Sequence, residues 1–275
     1  MYKIIADSSC DLHNLETIPI SIYNDEITYI DDQKMDIHDM IERFSVYRGR
    51  TYTACPGGEA WLKAFEGHDE IYAVTLTSSL SGTYNSAENA RKIYLEDHPH
   101  AKVKVFDTLS TGPGMVLVIE KIGELKEQGC SFDEVCMQMD LYLKRFRLFF
   151  ALRSLHNLAQ NGRVNKMIAS AVGALGLSII ATASPHGTID SCGKSRGDRK
   201  TVRSMIKQMI EAGYTGGKVR CDHVENKSLG ELFKQELLSM FPQADVDIIP
   251  ARGLVSYYAE RGAILVACEI DRNYR

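Results

Sequence analysis

No CxxC pair occurs among the seven cysteines (Cys10, Cys55, Cys130, Cys136, Cys192, Cys221 and Cys268), which are odd in number and scattered over 275 residues. That spacing argues against a disulfide framework or a structural zinc site and for a reducing compartment. Positive charge is not in excess either. The formal net charge is −4, so neither nucleic acid nor an anionic membrane is indicated as the main partner. The longest mostly apolar run, residues 167–183, is interrupted by Ser170, Gly173, Gly176 and Ser178 and is too mixed for a membrane span. The opening Met1-Tyr2-Lys3-Ile4-Ile5-Ala6-Asp7 lacks the apolar core and small-residue cleavage site of a signal peptide. A cytoplasmic protein is therefore expected. None of the eight histidines stands in an HExxH arrangement, and there is no GxSxG elbow, no GxxxxGK[ST] loop and no GxGxxG after a strand. Neither a metal nor a cofactor is expected.

What the chain does have is alternation. Short β-rich runs at 2–6, 18–23, 70–76 and 102–106 alternate with amphipathic helical patterns at 36–47, 58–65, 81–95, 113–128 and 131–144. Such alternation makes a parallel sheet with helices on both faces the expected architecture. The second half differs in texture. Helices are expected at 154–160, 166–174, 198–212 and 228–240, with strands at 178–183, 188–191, 218–221, 245–249 and 263–269. Hairpin-like spacing around Pro185-His186-Gly187 points to a mixed or antiparallel sheet there. The fold class is α/β, with a parallel-sheet domain over 1–150 and a mixed-sheet domain over 151–275.

The segment "TLTSSLSGTYNSAENA" (75–90) stands where an apolar strand hands over to a helix. In an open parallel sheet, ligands bind outside the carboxyl ends of the strands, in the loops that lead into helices. Three expected strands are followed by such loops: Asp7-Ser8-Ser9-Cys10-Asp11, the serine-rich run from Thr77 to Thr83, and Asp107-Thr108-Leu109-Ser110-Thr111-Gly112. "TACPGG" (53–58) precedes another helix. Four loops of small hydroxyls and glycine are thus expected at one edge of one sheet. Hydroxyls and free helix-start N–H groups together suit a carboxylate or a phosphate. The competing explanation is local: Ser81 as a helix cap, Asp7 and Asp107 as turn residues. Catalysis has less to stand on. Ser81 has no base nearby in sequence, and Cys55 beside Pro56 is a lone thiol. A hydrolase or transferase acting on an acyl or phosphate ester at the same hydroxyl-lined site remains the alternative.

Five segments resemble, in order, the DegV family of bacterial fatty-acid-binding proteins. "KIIADSSCDL" (3–12) is similar to the family's opening strand and Asp-Ser-Thr-x-Asp-Leu turn, and "TACPG" (53–57) to its Thr-Ser-x-Pro-Ser. "SSLSGTYNSA" (78–87) is close to its most distinctive motif. "NGRVNK" (161–166) resembles Gly-Gly-Arg-[IV]-x-Lys, and "KSRGDRK" (194–200) resembles Lys-x-Arg-Gly-x-Lys-Lys. The resemblance implies a two-domain shell around a long-chain fatty acid, a carrier and not an enzyme. It further implies presentation of the acid to a separate ATP-dependent fatty acid kinase subunit, for acyl phosphate formation in phospholipid synthesis. Carried over by position, Thr53 and Ser81, with Ser78 as runner-up, hold the carboxylate. Arg163, Lys166 and Arg196 serve partner docking. The sequence departs from the pattern at Ala54 and Gly57, which lack hydroxyls. It departs again at "SYYAERGA" (256–263), where Tyr258 aligns with a family histidine and Tyr257 lies one residue off. Burying an acyl chain contributes about 0.8 kcal/mol per CH₂, and the small-residue run 167–175 is expected to line such a tunnel.

Overall fold

A computed structural model describes residues 2–164 and 177–271. From the N-terminus, β1 (Tyr2–Asp7), β2 (Thr17–Ile18), β3 (Ser21–Tyr23) and β4 (Thr28–Ile30) precede α1 (Ile37–Val46). There follow β5 (Tyr52–Ala54), α2 (Gly58–Phe65), β6 (Glu70–Thr75), α3 (Thr83–Asp97), β7 (Lys102–Asp107), α4 (Pro113–Glu127) and α5 (Phe132–Tyr142). Next come β8 (Phe146–Leu152), α6 (His156–Gln160), β9 (Leu177–Ala183), β10 (Ile189–Arg196) and α7 (Asp198–Ala212). The chain closes with β11 (Lys218–His223), α8 (Lys227–Met240), β12 (Asp245–Pro250), α9 (Gly253–Ala259) and β13 (Ile264–Glu269). Lys166 and the small-residue run 167–175 lie outside the described residues.

Strand alternation explains the layering. In the four-stranded sheet, ordered β2-β1-β6-β7 and parallel throughout, Ile5, Ile71, Ala73, Val103 and Val105 face α2 and α3. There they pack on Trp61, Phe65, Ala87 and Ala90. Ala6, Tyr72, Val74 and Phe106 point the other way, into a central core shared with α4. α4 is apolar on nearly every side because it packs between two sheets, touching β6 on one and β8, β11 and β13 on the other. β8 repeats the alternation: Leu148, Phe150 and Leu152 enter the central core, while Phe149 and Ala151 meet Val202, Met205 and Met209 of α7. Helices, sheet, helices, sheet and helices thus form five layers.

The second sheet has the order β10-β9-β8-β13-β11-β12 and is mixed, with β11 and β12 its parallel pair. β9 and β10 form the expected hairpin at Pro185-His186-Gly187, where Gly187 has φ +77°. β10 runs on past residue 191 through a register shift between Ser191 and Gly193. Residue 150, the expected boundary, falls inside β8, which belongs wholly to the second sheet. The expected strand 18–23 is two strands in two sheets. Pro19 has no N–H to continue a ladder, and β3 pairs with β4 and β5 in a small third sheet. The three-residue strands β4 and β5 and the seven-residue α9 were not anticipated, being too short to show a period.

Candidate ligand-binding site

Between the carboxyl ends of the parallel sheet and the central face of the six-stranded sheet lies a cavity of about 310 Å³, the lower end of the usual range for ligand pockets. Its apolar wall includes Leu148, Phe150 and Leu152 of β8, Leu265 of β13, Leu158 of α6 and Leu254 of α9. Its polar wall includes Thr53, Thr77, Ser81, Ser110, Thr111 and Tyr258, with Arg163 beside them. One space therefore offers aliphatic surface together with hydroxyls and a guanidinium.

Three of the four hydroxyl loops reach this cavity. The first does not, contrary to the expectation that all four converge on a ligand. Asp7, Ser8, Ser9, Cys10 and Asp11 are each 0% exposed and are turned into the protein. Ser8 Oγ accepts from Ile20 N at 3.0 Å. Asp7 accepts from Ser9 N at 3.0 Å, from the Ser9 hydroxyl, and from Leu76 N at 2.8 Å. Burial pushes the Asp7 carboxyl up to about 6 although these bonds oppose the shift. Asp107, on the other flank, accepts from Ser78 N and Leu109 N, both at 3.1 Å. The two aspartates thereby pin the serine loop from neighbouring strands. The β9–β10 hairpin closes over it: Thr77 Oγ1 donates to Gly187 O at 2.9 Å. A Cβ on Gly187 would stand 2.1 Å from that hydroxyl, so only glycine fits there.

Thr53, on β5, places Oγ1 2.8 Å from the Tyr258 hydroxyl on α9. Ser81 lines the cavity, with Oγ 2.9 Å from Thr83 Oγ1 and 3.3 Å from Thr83 N, which donates to it. It is not the cap of α3, a position held by Gly82. Ser78 is not among the described wall residues, and its amide is committed to Asp107. Arg163 reaches the cavity wall: its Nε donates to Leu80 O at 3.3 Å, an Nη to Asn161 O at 2.6 Å, and its guanidinium lies 5.7 Å from the centre of the Tyr258 ring. Arg196 stands exposed at the end of the edge strand β10.

The two adjacent tyrosines divide. Tyr258 faces the cavity; Tyr257, 1% exposed, sends its hydroxyl to Thr51 Oγ1 at 2.5 Å and accepts from Asn161 Nδ2 at 2.9 Å. Burial pushes its phenol up to about 12 and raises that of Tyr258 as well. Thr77 and Thr111, also on the wall, were not singled out individually from sequence. The Thr51-x-Thr53 spacing was the available signal for the two tyrosine contacts, since residues two apart in an extended chain share a face. His98 and His100 stand two apart, yet among the described residues no three His, Cys, Asp or Glu side chains converge on a possible metal position.

A family model described as "Uncharacterised protein, DegV family" matches residues 1–270. The chain belongs to the DegV family. A DegV domain-containing protein of Streptococcus pneumoniae is 38% identical over 279 residues, which cover 98% of this chain and 99% of the relative. Among solved structures, a DegV family protein from Eubacterium eligens loaded with heptadecanoic acid is 46% identical, with a TM-score of 0.96 over 98% of this chain and 100% of its own. The Streptococcus pneumoniae fatty acid kinase B3 protein loaded with linoleic acid is 38% identical, with a TM-score of 0.96 and the same coverage. The two-sheet α/β architecture described above is thus that of DegV structures, and no helix among the described residues is long and apolar enough to cross a membrane.

Proposed function

We propose that this DegV protein binds a long-chain fatty acid, with the acyl chain against the leucine-rich wall and the carboxylate held by Thr53, Ser81 and Tyr258. The observation that carries this reading is the cavity itself, in which aliphatic side chains of the six-stranded sheet and hydroxyls of three loops line one space. Burying about sixteen carbons at about 0.8 kcal/mol per CH₂ supplies most of a tight affinity, and the hydroxyls orient the head. Arg163 brings the wall a fixed positive charge next to Tyr258, which suits an anionic head group better than an alcohol. The fatty acids carried by the Eubacterium and Streptococcus structures are in keeping with such a ligand.

We assign Arg163 to the head group. Docking of a separate ATP-dependent kinase that makes the acyl phosphate falls to the exposed Arg196 and, outside the described residues, to Lys166. The protein acts on this reading as a cytoplasmic carrier, not as a hydrolase. The Ser81 hydroxyl is engaged with Thr83, and no histidine is among the described wall residues to serve it as a base. Mass spectrometry of an organic extract from protein never exposed to delipidating steps tests the carrier: a long-chain acid is expected. An extract without one, or turnover of an ester, thioester or phosphate by the protein alone, overturns it.

A further inference from the structure

Where the first loop meets the six-stranded sheet, two carboxyl groups are buried together. Asp11 follows β1 and Asp222 lies on β11; both are 0% exposed. Asp11 Oδ1 accepts from the Arg252 backbone N–H at 2.6 Å. Asp11 Oδ2 and both oxygens of Asp222 have no donor among the described residues. A Cβ on Gly112 would stand 2.7 Å from Asp222 Oδ2 and 3.1 Å from Asp11 Oδ2, so both carboxyls crowd one point at the start of α4. Side chain–free Gly112 is what lets them approach.

Two ionised carboxylates so placed, away from water, repel each other. One shared proton removes the repulsion and turns one carboxyl into the missing donor. The charged and titratable surroundings do not offer another remedy. Asp7 and Cys10 come from the first loop, Asp31 from the turn after β4, Asp247 from β12 and Cys221 from β11 itself. α4 brings no acidic side chain in its first turn. Among the described residues the cation acting on Asp11 is Arg252, and its guanidinium goes to Thr17 Oγ1 at 3.0 Å and Asp31 O at 3.3 Å. Burial holds both Asp11 and Asp222 above the usual carboxylate range.

The junction is connected to the cavity through α9. Arg252, whose amide Asp11 takes, immediately precedes that helix, and Asp31 takes the next two amides, Gly253 at 3.0 Å and Leu254 at 2.9 Å. The same helix carries Tyr258 to Thr53. We propose that Asp11 and Asp222 share one proton between the two sheets and act as positioning residues, setting the start of α9 and through it the Tyr258 hydroxyl in the ligand site. The ligand half of this proposal rests on the fatty-acid reading; the proton-sharing half does not.

A group that holds its proton more tightly when folded stabilises the fold at low pH, and that contribution is lost as pH rises through the folded value. The experiment compares the full-length wild type, Asp222→Asn and Asp11→Asn between pH 6.5 and 9.5. One readout is the thermal midpoint without ligand, the other the affinity for linoleic acid. The wild-type midpoint should fall by several degrees across this range, and the affinity by at least about fivefold, the lower end of ordinary coupling between sites. Asp222→Asn should flatten both profiles and raise the midpoint at pH 9 above that of the wild type. Parallel midpoint profiles in wild type and variant overturn proton sharing, with Asp11→Asn deciding if Asp222→Asn does not fold. A flattened midpoint profile with an unchanged affinity profile overturns the link to Tyr258. Absence of linoleic acid binding at any pH overturns the fatty-acid reading alone, while the midpoint profile still decides the shared proton.

Discussion

The loop after β1 and the loop after β6 are built from similar residues and do opposite jobs. Both leave the carboxyl end of a parallel strand, and both are dense in serine. The first is enclosed over residues 7–11, whose carboxylates and hydroxyls accept amide N–H groups of Ser9, Ile20, Leu76 and Arg252. The second opens on the cavity with Thr77, Leu80, Ser81 and Gly82. Its own amides are held by Asp7 and Asp107, while its side chains turn outward, Thr77 to the Gly187 carbonyl of the hairpin and Ser81 to the cavity wall. Composition makes such a loop polar; which neighbours surround it decides whether the polarity holds the protein together or faces a ligand.

The largest expected effect lies in the buried loop. Asp7→Ala removes the acceptor of two buried amides, at about 1–3 kcal/mol for each unsatisfied group, so urea denaturation should show a loss of about 2–6 kcal/mol. A stability unchanged within error would mean the loop is not a structural element. The same residue sharpens the contrast through pH. Its folded value of about 6 lies above the ordinary carboxylate value, so its protonation favours the fold near pH 4, and that contribution disappears as pH rises through 6. The stability of wild type relative to Asp7→Asn should fall by about 3 kcal/mol between pH 4 and pH 7. A difference independent of pH would count against a buried, unpaired carboxylate.

In the open loop the effects should move from stability to binding. Ser81→Ala and Thr53→Val should each weaken fatty-acid binding about ten- to hundredfold, the worth of a hydrogen bond to a charged group, with denaturation midpoints little changed. Equal affinity for a fatty acid and the alcohol of the same length would show that these hydroxyls do not hold a carboxylate. The paired tyrosines give the smallest and cleanest contrast. Tyr258→Phe should weaken binding by about 1 kcal/mol, whereas Tyr257→Phe should take a similar amount from stability and leave binding alone. If the two variants exchange behaviours, the assignment of the cavity to Tyr258 is wrong. Ser78→Ala should do neither.

Much of this was legible without coordinates. α2 and α7 were expected with the bounds they have, because amphipathic spacing and a C-terminal glycine or turn mark such helices plainly. Thr53 and Ser81 were named from motif positions, and both line the cavity. Ser78, three residues from Ser81 in the same loop, could not be separated from it by composition. Arg163 was expected on a docking surface because the family resemblance implied that role for the basic positions of its turn. Its contact with the Tyr258 ring and the Leu80 carbonyl is a meeting of residues more than eighty positions apart.

The sequence by itself determined the alternation of strand and helix, the parallel character of the first sheet and the presence of hydroxyl-rich loops at its carboxyl ends, since each follows from local periodicity and turn chemistry. Only the tertiary structure decided that the six-stranded sheet supplies the aliphatic wall opposite those loops, and that the first loop is closed off while the second is open. It also decided that Tyr257 and Tyr258 serve different spaces and that Asp11 and Asp222, 211 residues apart in the chain, are buried together. The physical reason is the same in each case: burial and unpaired polar groups are properties of what packs against a residue, and in this fold the packing partners come from the far end of the chain.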